Sequence, residues 1–311
     1  MRRTLETIAL MNFCSCSKYV GIFALLTVGA ACGLAQSGGH AAEAGVAWSS
    51  TAELPDAPEP QVAPAQSTTS APAVPANETP EEKKKREALA EEQLKVEKKQ
   101  RLLGVLPNFN TSYDATAVSL TPKQKFKLAW ASTTDPVQFA AAGFLAGIGQ
   151  AQDSDAGYGQ GMEGYAKRFG ANYADTFISN MIGNAILPSV LHQDPRYFRL
   201  GYGNKVHRFL YSLATNVITK HDVTGKWEPN YSNVAGNLIG GGISNLYFPA
   251  DERGVSNTLT NALTVTLEGG VGSVFQEFWP DVSRKLFHKD PTNGLDAKNA
   301  ELRAAKKAEK K

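Results

Sequence analysis

Small residues recur at every fourth position inside several apolar segments of this chain. The sets are Gly143 and Gly147; Ala166, Gly170 and Ala174; Ser179 and Gly183; and Gly236 and Gly240. An interior glycine lowers helix stability by roughly 0.5–1 kcal/mol relative to alanine, so its repeated use indicates helices that approach one another closely. The pattern predicts a mainly α fold, a compact glycine-rich helical bundle.

The apolar segments are interrupted by polar side chains before they reach the length of a membrane span, about 18 residues. Asn180, Asn184, Asn237 and Glu268 are among the interrupting residues. A compact bundle, associated with a membrane or free of it, is therefore the primary expectation. A polytopic or re-entrant membrane bundle is the alternative, because close small-residue contacts are also typical of helices in lipid.

Local signals divide residues 103–290 into helices that form the predicted core. Thr121-Pro122 and Asp135-Pro136 each combine a cap with a proline in the first turn, which is typical of a helix start. We expect further helices at 165–187, 205–218, 232–247 and 256–278. Trp279-Pro280-Asp281 is expected to end the last of these, because proline breaks a helix interior.

The N-terminal residues 1–35 have the pattern of an export signal. Positive charge at Arg2 and Arg3 precedes an uncharged apolar run at Val20–Ala31, which has the length of a signal h-region. Small side chains at Gly33 and Ala35 predict cleavage before Gln36. Lipidation of Cys32 after cleavage before that residue, and an uncleaved anchor, are the alternatives.

Residues 36–80 and 81–102 form two further predicted segments before the core. The first is rich in proline and alanine and has few bulky apolar residues, which predicts a disordered linker. The second is densely charged, with Glu81 and Glu91 each four residues before a lysine, which favours an exposed, solvated single helix. We therefore expect residues 36 to about 100 to be dispensable for folding, and residues 291–311 to be a basic polar tail.

Charge and cysteine usage exclude several function classes. The formal net charge is +2, with acidic and basic residues almost balanced, so no nucleic-acid partner is expected. All three cysteines, Cys14, Cys16 and Cys32, lie in or beside the signal, so the mature chain has no disulfide and no thiolate ligand. The histidines show no metal-ligand spacing. No metal and no cofactor are predicted.

The segment His192–Arg199 is the best candidate site, although no catalytic residue can be assigned. His192, Asp194, Arg196 and Arg199 lie within eight residues and could bind a phosphate or carboxylate. They could equally form a structural clasp, with Asp194 as a helix cap before Pro195 and the arginines paired with core carboxylates such as Asp175 or Asp281. The clasp is the favoured interpretation. Nearby aromatics at Tyr197, Phe198, Tyr202, Phe209 and Tyr211 could line a lipid or glycan groove or pack in the core.

Four sequence blocks resemble an uncharacterised family of exported acidobacterial envelope proteins. They are Leu103–Phe109 (LGVLPNF), Leu120–Phe126 (LTPKQKF), His192–Arg199 (HQDPRYFR) and Glu277–Asp281 (EFWPD). The third block is the most specific. The resemblance implies a location in the cell envelope, and it supplies no catalytic residues because the family has no assigned activity.

The sequence thus predicts an exported cell-envelope protein, periplasmic or associated with the outer membrane, with a structural or binding role. Its expected partner is the envelope membrane or another envelope protein, and the oligomeric state stays open. The alternative is a hydrolase or transferase that acts on an envelope lipid or glycan through His192, Asp194 and Arg196. The two differ structurally, because catalytic side chains would converge on an open pocket and clasp residues would be buried and paired.

Overall fold

The computed structural model describes Val74 and residues 78–309. The predicted signal, Cys32 and nearly all of the predicted linker lie outside the described residues. The α-helices are α1 (Pro80–Glu97), α2 (Pro122–Thr133), α3 (Pro136–Gln152), α4 (Gly161–Met181), α5 (Leu187–Val190), α6 (Lys205–Ala214), α7 (Tyr231–Ser244), α8 (Val255–Phe287) and α9 (Leu295–Glu309). The prediction of a mainly α fold is confirmed.

Six short strands form three two-stranded sheets that connect the loops of the described residues. They are β1 (Arg101–Leu102), β2 (Leu106–Pro107), β3 (Thr111–Ser112), β4 (Tyr197–Phe198), β5 (Ile218–Lys220) and β6 (Trp227–Pro229). β1 pairs with β2 and β5 with β6, both antiparallel, whereas β3 pairs with β4 in parallel. The β3–β4 pair matters most, because it fixes the segment around Arg196 and Arg199 against a part of the chain some 85 residues earlier, with Thr111 opposite Tyr197.

The predicted starts of α2 and α3 are confirmed. The Thr121 side chain accepts from the backbone N–H of Gln124, while the Gln124 side chain accepts from the Thr121 N–H, which makes a capping box. Asp135 accepts from the N–H of Val137 at 3.0 Å. In both helices proline occupies the first turn, where its missing N–H costs nothing.

A π-helical turn, Ile182–Ile186, joins α4 to α5. Pro188 lies just after it and has no N–H for the carbonyl four residues earlier, so a regular α-helix cannot continue there. The wider turn instead lets the Leu187 N–H reach the Ile182 carbonyl. The helix predicted over 165–187 is therefore present, but its last residues form a π turn. Pro188 does not end the helical segment, since α5 continues to Val190.

α7 crosses the π turn at two facing glycines. A Cβ built on Gly236 would lie 2.7 Å from the Cα of Gly183, and one on Gly240 would lie 2.9 Å from the Oγ of Ser179. These contacts are what the small-residue spacing predicted. Gly147 differs, because a Cβ there would meet nothing nearer than 4.0 Å, at Tyr165.

Three sequence expectations about helix ends are wrong. α8 runs unbroken from Val255 to Phe287 with Pro280 inside it, so the predicted break at Trp279-Pro280-Asp281 does not occur. α6 ends at Ala214, before the expected Ile218, which instead begins β5. No helix begins after Asp194, and the chain passes directly into β4.

The charged helix α1 packs on the core. Ala90 and Leu94 are fully buried in a cluster with Phe109, Val118, Leu120 and Leu128, and Glu97 is buried as well. The predicted solvated single helix is therefore wrong. Charged residues make up most of α1, so its narrow apolar stripe is difficult to recognise in the sequence.

The C-terminal helix α9 also docks on the body of the protein. The buried Asn299 donates to the Tyr113 carbonyl at 2.8 Å and accepts from the Ala115 N–H at 3.1 Å. Asp296 pairs with Arg199. Residues 291–311 were expected to be a basic polar tail. Helix α9 instead packs against the loop that follows β3.

Several helices have their polar side inward and their apolar side outward. On α6, Arg208 and Ser212 are buried while four large apolar residues are exposed: Val206, Phe209, Leu210 and Leu213. On α7, Ser232, Asn237 and Ser244 are buried. On α8, Glu277 is fully buried while Leu259, Leu263, Leu267 and Val271 are exposed. Because α8 packs against both α6 and α7, these stripes lie on neighbouring helices.

We call one set of the exposed apolar side chains on these three helices the outer apolar surface. Its members are Val206, Phe209, Leu210 and Leu213 on α6, Val234, Leu238 and Ile239 on α7, and Leu259, Leu263, Leu267 and Val271 on α8. Monomeric soluble proteins rarely expose contiguous apolar patches of more than a few hundred Å². Among the residues that the structure describes, no helix combines the length and the apolar character needed to cross a membrane.

Candidate functional site

Arg196 lies at the centre of a buried ionic cluster. Its Nε and Nη2 donate to the two carboxylate oxygens of Asp194 at 3.0 and 2.8 Å, while Nη1 donates to Glu97 at 3.1 Å. Nη2 also donates to the Val118 carbonyl at 2.6 Å. The side chain has no exposed area, so every direction of the guanidinium fork is used inside the protein.

The two carboxylates around Arg196 differ in their titration. Burial alone would raise the pKa of Asp194, but the Arg196 guanidinium and its hydrogen bonds outweigh that effect and hold the pKa below its usual range. Burial raises the pKa of Glu97 to about 7, against the opposing pull of Arg196. One guanidinium neutralises one carboxylate, so the cluster favours a charged Asp194 beside a Glu97 that readily takes up a proton.

Arg199 and Arg208 form a second cluster around Glu277. The Nε of Arg208 donates to Oε1 of Glu277 at 2.6 Å, and the Nε of Arg199 donates to the Glu277 carbonyl at 2.8 Å. Arg199 also pairs with Asp281 at 3.2 Å and Asp296 at 2.6 Å. Asp281 was an expected partner of the arginines, and it is one.

Glu277 itself is fully buried and satisfied by donors. The Tyr197 hydroxyl donates to its Oε2 at 2.7 Å, and the backbone N–H groups of Leu200 and Gly201 donate at 3.0 Å each. Burial, followed by the charge of Glu277, raises the pKa of Tyr197 far above its ordinary value, so this hydroxyl stays a donor. A carboxylate held by this many donors anchors α8 to β4.

A third buried ion pair lies between Lys125 and Asp222. The Lys125 ammonium donates to Oδ2 of Asp222 at 2.5 Å and to the carbonyls of Pro188 and Gln193 at 2.9 and 2.8 Å. The Oδ1 of Asp222 is buried without a hydrogen-bond partner. Burial and the nearby Asp194 raise the pKa of Asp222 to about 6.

The four candidate residues do not form a single site. Asp194, Arg196 and Arg199 are buried and paired, but Arg196 and Arg199 belong to different clusters. His192 is exposed, in a left-handed conformation with φ of 54°, and its ring stacks 6.3 Å from that of His221. The side chains therefore lack the convergence on an open pocket that a catalytic role for this segment requires.

Two details of the predicted clasp are corrected. Asp194 is not a helix cap, because its Oδ1 accepts from the Arg196 N–H two residues later and closes a turn. Asp175 does not pair with either arginine, since it accepts from the Tyr247 hydroxyl at 2.5 Å. Burial raises the pKa of Asp175 to about 6.

Sequence reasoning missed Glu97, Lys125 and Glu277, which complete these clusters. Their partners lie 99, 97 and 69 positions away along the chain, so no local spacing marks them. The one available signal was a carboxylate inside an apolar helix at Glu277, because an unpaired charge there would be costly.

A cavity of about 210 Å³ lies between the ionic cluster of Arg196, the π turn, α7 and α8. Neutral amides and aromatic rings make up much of its lining, including Asn184, Asn216, Asn233, Gln276 and Trp227. Tyr197 and Phe198 also line it, whereas Phe209 is exposed on the outer apolar surface. Within the described residues, no group of three or more His, Cys, Asp or Glu side chains could hold a metal ion.

Comparison of the chain with protein-family models finds no match, and searches of curated proteins and of solved structures find none either.

Proposed function

We propose that this chain is an exported cell-envelope protein with a structural or binding role, which associates with the envelope membrane through its outer apolar surface. The observation that carries this proposal is the reversed orientation of α6, α7 and α8, whose polar residues face inward and whose large apolar residues face outward. The resemblance of its sequence blocks to exported acidobacterial envelope proteins supports the same location.

The energetics favour a lipid-facing role for this surface. Leaving a leucine or phenylalanine exposed forgoes roughly 1.5–3 kcal/mol per side chain relative to burial. Helix α6 has the pattern of an interfacial helix, with Phe209 and Leu210 outward and Lys205 at its exposed start. Lys285 in the last turn of α8 and Lys289, two residues beyond its end, are also exposed and can attract anionic headgroups.

The interior supports a non-catalytic role. The strongest acid–base groups, Asp194, Arg196 and Glu277, already bind one another or backbone groups, so they have no capacity left for a substrate. A hydrolase or transferase built on His192, Asp194 and Arg196 would need these side chains to meet at one open surface. His192 is exposed and stacks on His221, whereas Asp194 and Arg196 are buried in their own ion pair.

Flotation with vesicles of phosphatidylethanolamine and phosphatidylglycerol tests the proposal on the full chain. The wild-type protein should float with the vesicles, and Leu210→Glu or Leu263→Glu, at side chains 58% and 61% exposed, should reduce the floating fraction several-fold. Met162→Glu is the matched control, because Met162 is 82% exposed but lies on α4, outside the outer apolar surface. Carbonate extraction of native membranes tests the location.

Two results would contradict the proposal. Equal flotation of all three variants would show that the surface does not bind lipid. A wild-type protein that stays in the vesicle-free fraction and elutes as a dimer, with Leu210→Glu eluting as a monomer, would assign the surface to a second copy of the chain.

A further inference from the structure

We propose that the cavity beside the π turn is a binding site for a neutral, polyhydroxylated small molecule of the size of a monosaccharide. The inference is independent of the membrane association proposed above, because the cavity lies among the polar inner faces of the helices.

The amides around the cavity have hydrogen-bonding capacity that the protein does not use. Among the described residues, the Gln276 side chain has no hydrogen-bond partner, although it lines the cavity on the half-buried side of α8. Asn233 uses its Nδ2 on the Asn216 carbonyl, and Asn184 uses its Nδ2 on Asn180. In both residues the Oδ1 has no hydrogen-bond partner in the part of the chain that the structure describes.

Another amide on the same wall shows the contrast. Gln193 also lines the cavity, but its amide is fully used, because it binds Glu228, the Pro229 carbonyl and Ser232. Unused amide groups at a half-buried position lose hydration without a compensating bond. Their concentration around one cavity indicates that a ligand or water completes them.

The lining selects a neutral ligand. A charged ligand would need a free opposite charge, and the charged side chains at the cavity wall, Asp194 and Arg196, neutralise each other at 2.8 Å. Amides offer both donors and acceptors, which matches hydroxyl groups that both donate and accept. Trp227 lines the same cavity and provides an apolar surface for the C–H face of a sugar ring.

The volume sets the size of the ligand. A single water needs roughly 10–15 Å³ of such space, so a cavity of about 210 Å³ holds many waters. That space suits a ligand of the size of a single sugar ring. Gly183 and Asn184 of the π turn both line the cavity, and π turns of this kind often occur at functional sites.

Isothermal titration of the full chain with D-glucose and with N-acetylglucosamine tests the inference, with glucuronate and inorganic phosphate as charged probes. We expect saturable binding of at least one neutral sugar and at least tenfold weaker binding of both charged probes. Gln276→Met keeps the side-chain length and removes the unused amide, so it should weaken sugar binding roughly tenfold while leaving the unfolding midpoint unchanged.

Gln138→Met is the matched control. Gln138 is another half-buried helical glutamine whose side chain has no hydrogen-bond partner among the described residues, and it does not line the cavity. It should bind sugar as the wild type does. The inference is overturned if neither sugar binds at 100 mM, if Gln276→Met binds as tightly as Gln138→Met, or if phosphate or glucuronate binds as tightly as the sugars.

Discussion

Gly236 of α7 lies against Gly183 in the π turn so closely that a methyl group on Gly236 would lie 2.7 Å from the Gly183 Cα. Both partners in this contact are backbone, and neither can move aside without shifting a helix. The contact therefore requires glycine for space and not for conformational freedom.

Gly236→Ala should lower the free energy of unfolding by about 1–3 kcal/mol, because overpacking forces α7 away from the π turn. Gly242→Ala is the control in the same helix, where a Cβ meets nothing within 4 Å. That change should raise stability by up to about 1 kcal/mol through helix propensity. Urea denaturation measures both, and equal effects would contradict the packing argument.

Arg196→Ala should lower the free energy of unfolding by about 3–5 kcal/mol, since it leaves Asp194 buried without its partner. Arg196→Lys should recover only part of the loss, because an ammonium cannot reproduce the forked contacts to Asp194 and Glu97. Arg86→Ala, which breaks the pair between the partly exposed Arg86 and Glu78, should cost far less, because ion pairs near solvent contribute little to stability. Wild-type stability of Arg196→Ala would refute the structural role of the cluster.

Stability should fall as the pH rises from about 4.5 to about 7. The folded protein holds the Glu97 proton until its pKa of about 7, whereas the unfolded chain loses it near the ordinary value of 4.5. The unfolded state therefore binds fewer protons in this window, and each such group contributes at most about 1.4 kcal/mol per pH unit. Asp222 and Asp175, each with a pKa raised to about 6, act in the same direction over a lower window.

Glu97→Gln isolates the contribution of Glu97 to this dependence. The variant should show a smaller loss of stability between pH 5 and pH 7 than the wild type, as measured by thermal unfolding. Glu163→Gln, at a fully exposed carboxyl, should leave the slope unchanged. A wild-type stability that rises across this window would show that Glu97 stays ionised.

A chain that begins at Leu102 should unfold at a markedly lower temperature than one that begins at Glu78. The shorter chain lacks Leu94 from the apolar cluster and Glu97 from the Arg196 cluster. Differential scanning calorimetry measures the difference. Equal melting temperatures would restore the expectation that the charged helix is dispensable.

Local sequence signals predicted the helices whose ends are set locally. Thr121 and Asp135 are caps followed by proline, and both act as expected. The continuation of α8 through Pro280 escaped prediction, because packing of the buried Glu277 and Trp279 before the proline and of Ser283 after it outweighs the lost hydrogen bond.

The candidate site was predictable only in part, because its side chains come from distant parts of the chain. The sequence indicates that Arg196 needs a carboxylate partner, but it suggests Asp175 or Asp281. It identifies Asp194, the actual partner, only as a helix cap. Glu97, the other partner, escapes prediction because it lies on a helix whose charge pattern resembles a solvated surface. Parallel pairing of β3 with β4 brings these regions together, and no local pattern encodes such pairing.

The docking of α9 sets when this protein can finish folding. Asn299 bonds backbone groups 184 and 186 positions earlier, and Asp296 completes the environment of Arg199. The loop after β3 and the second ionic cluster therefore stay incomplete until the ribosome has polymerised Asn299. Long-range closure of this kind slows folding.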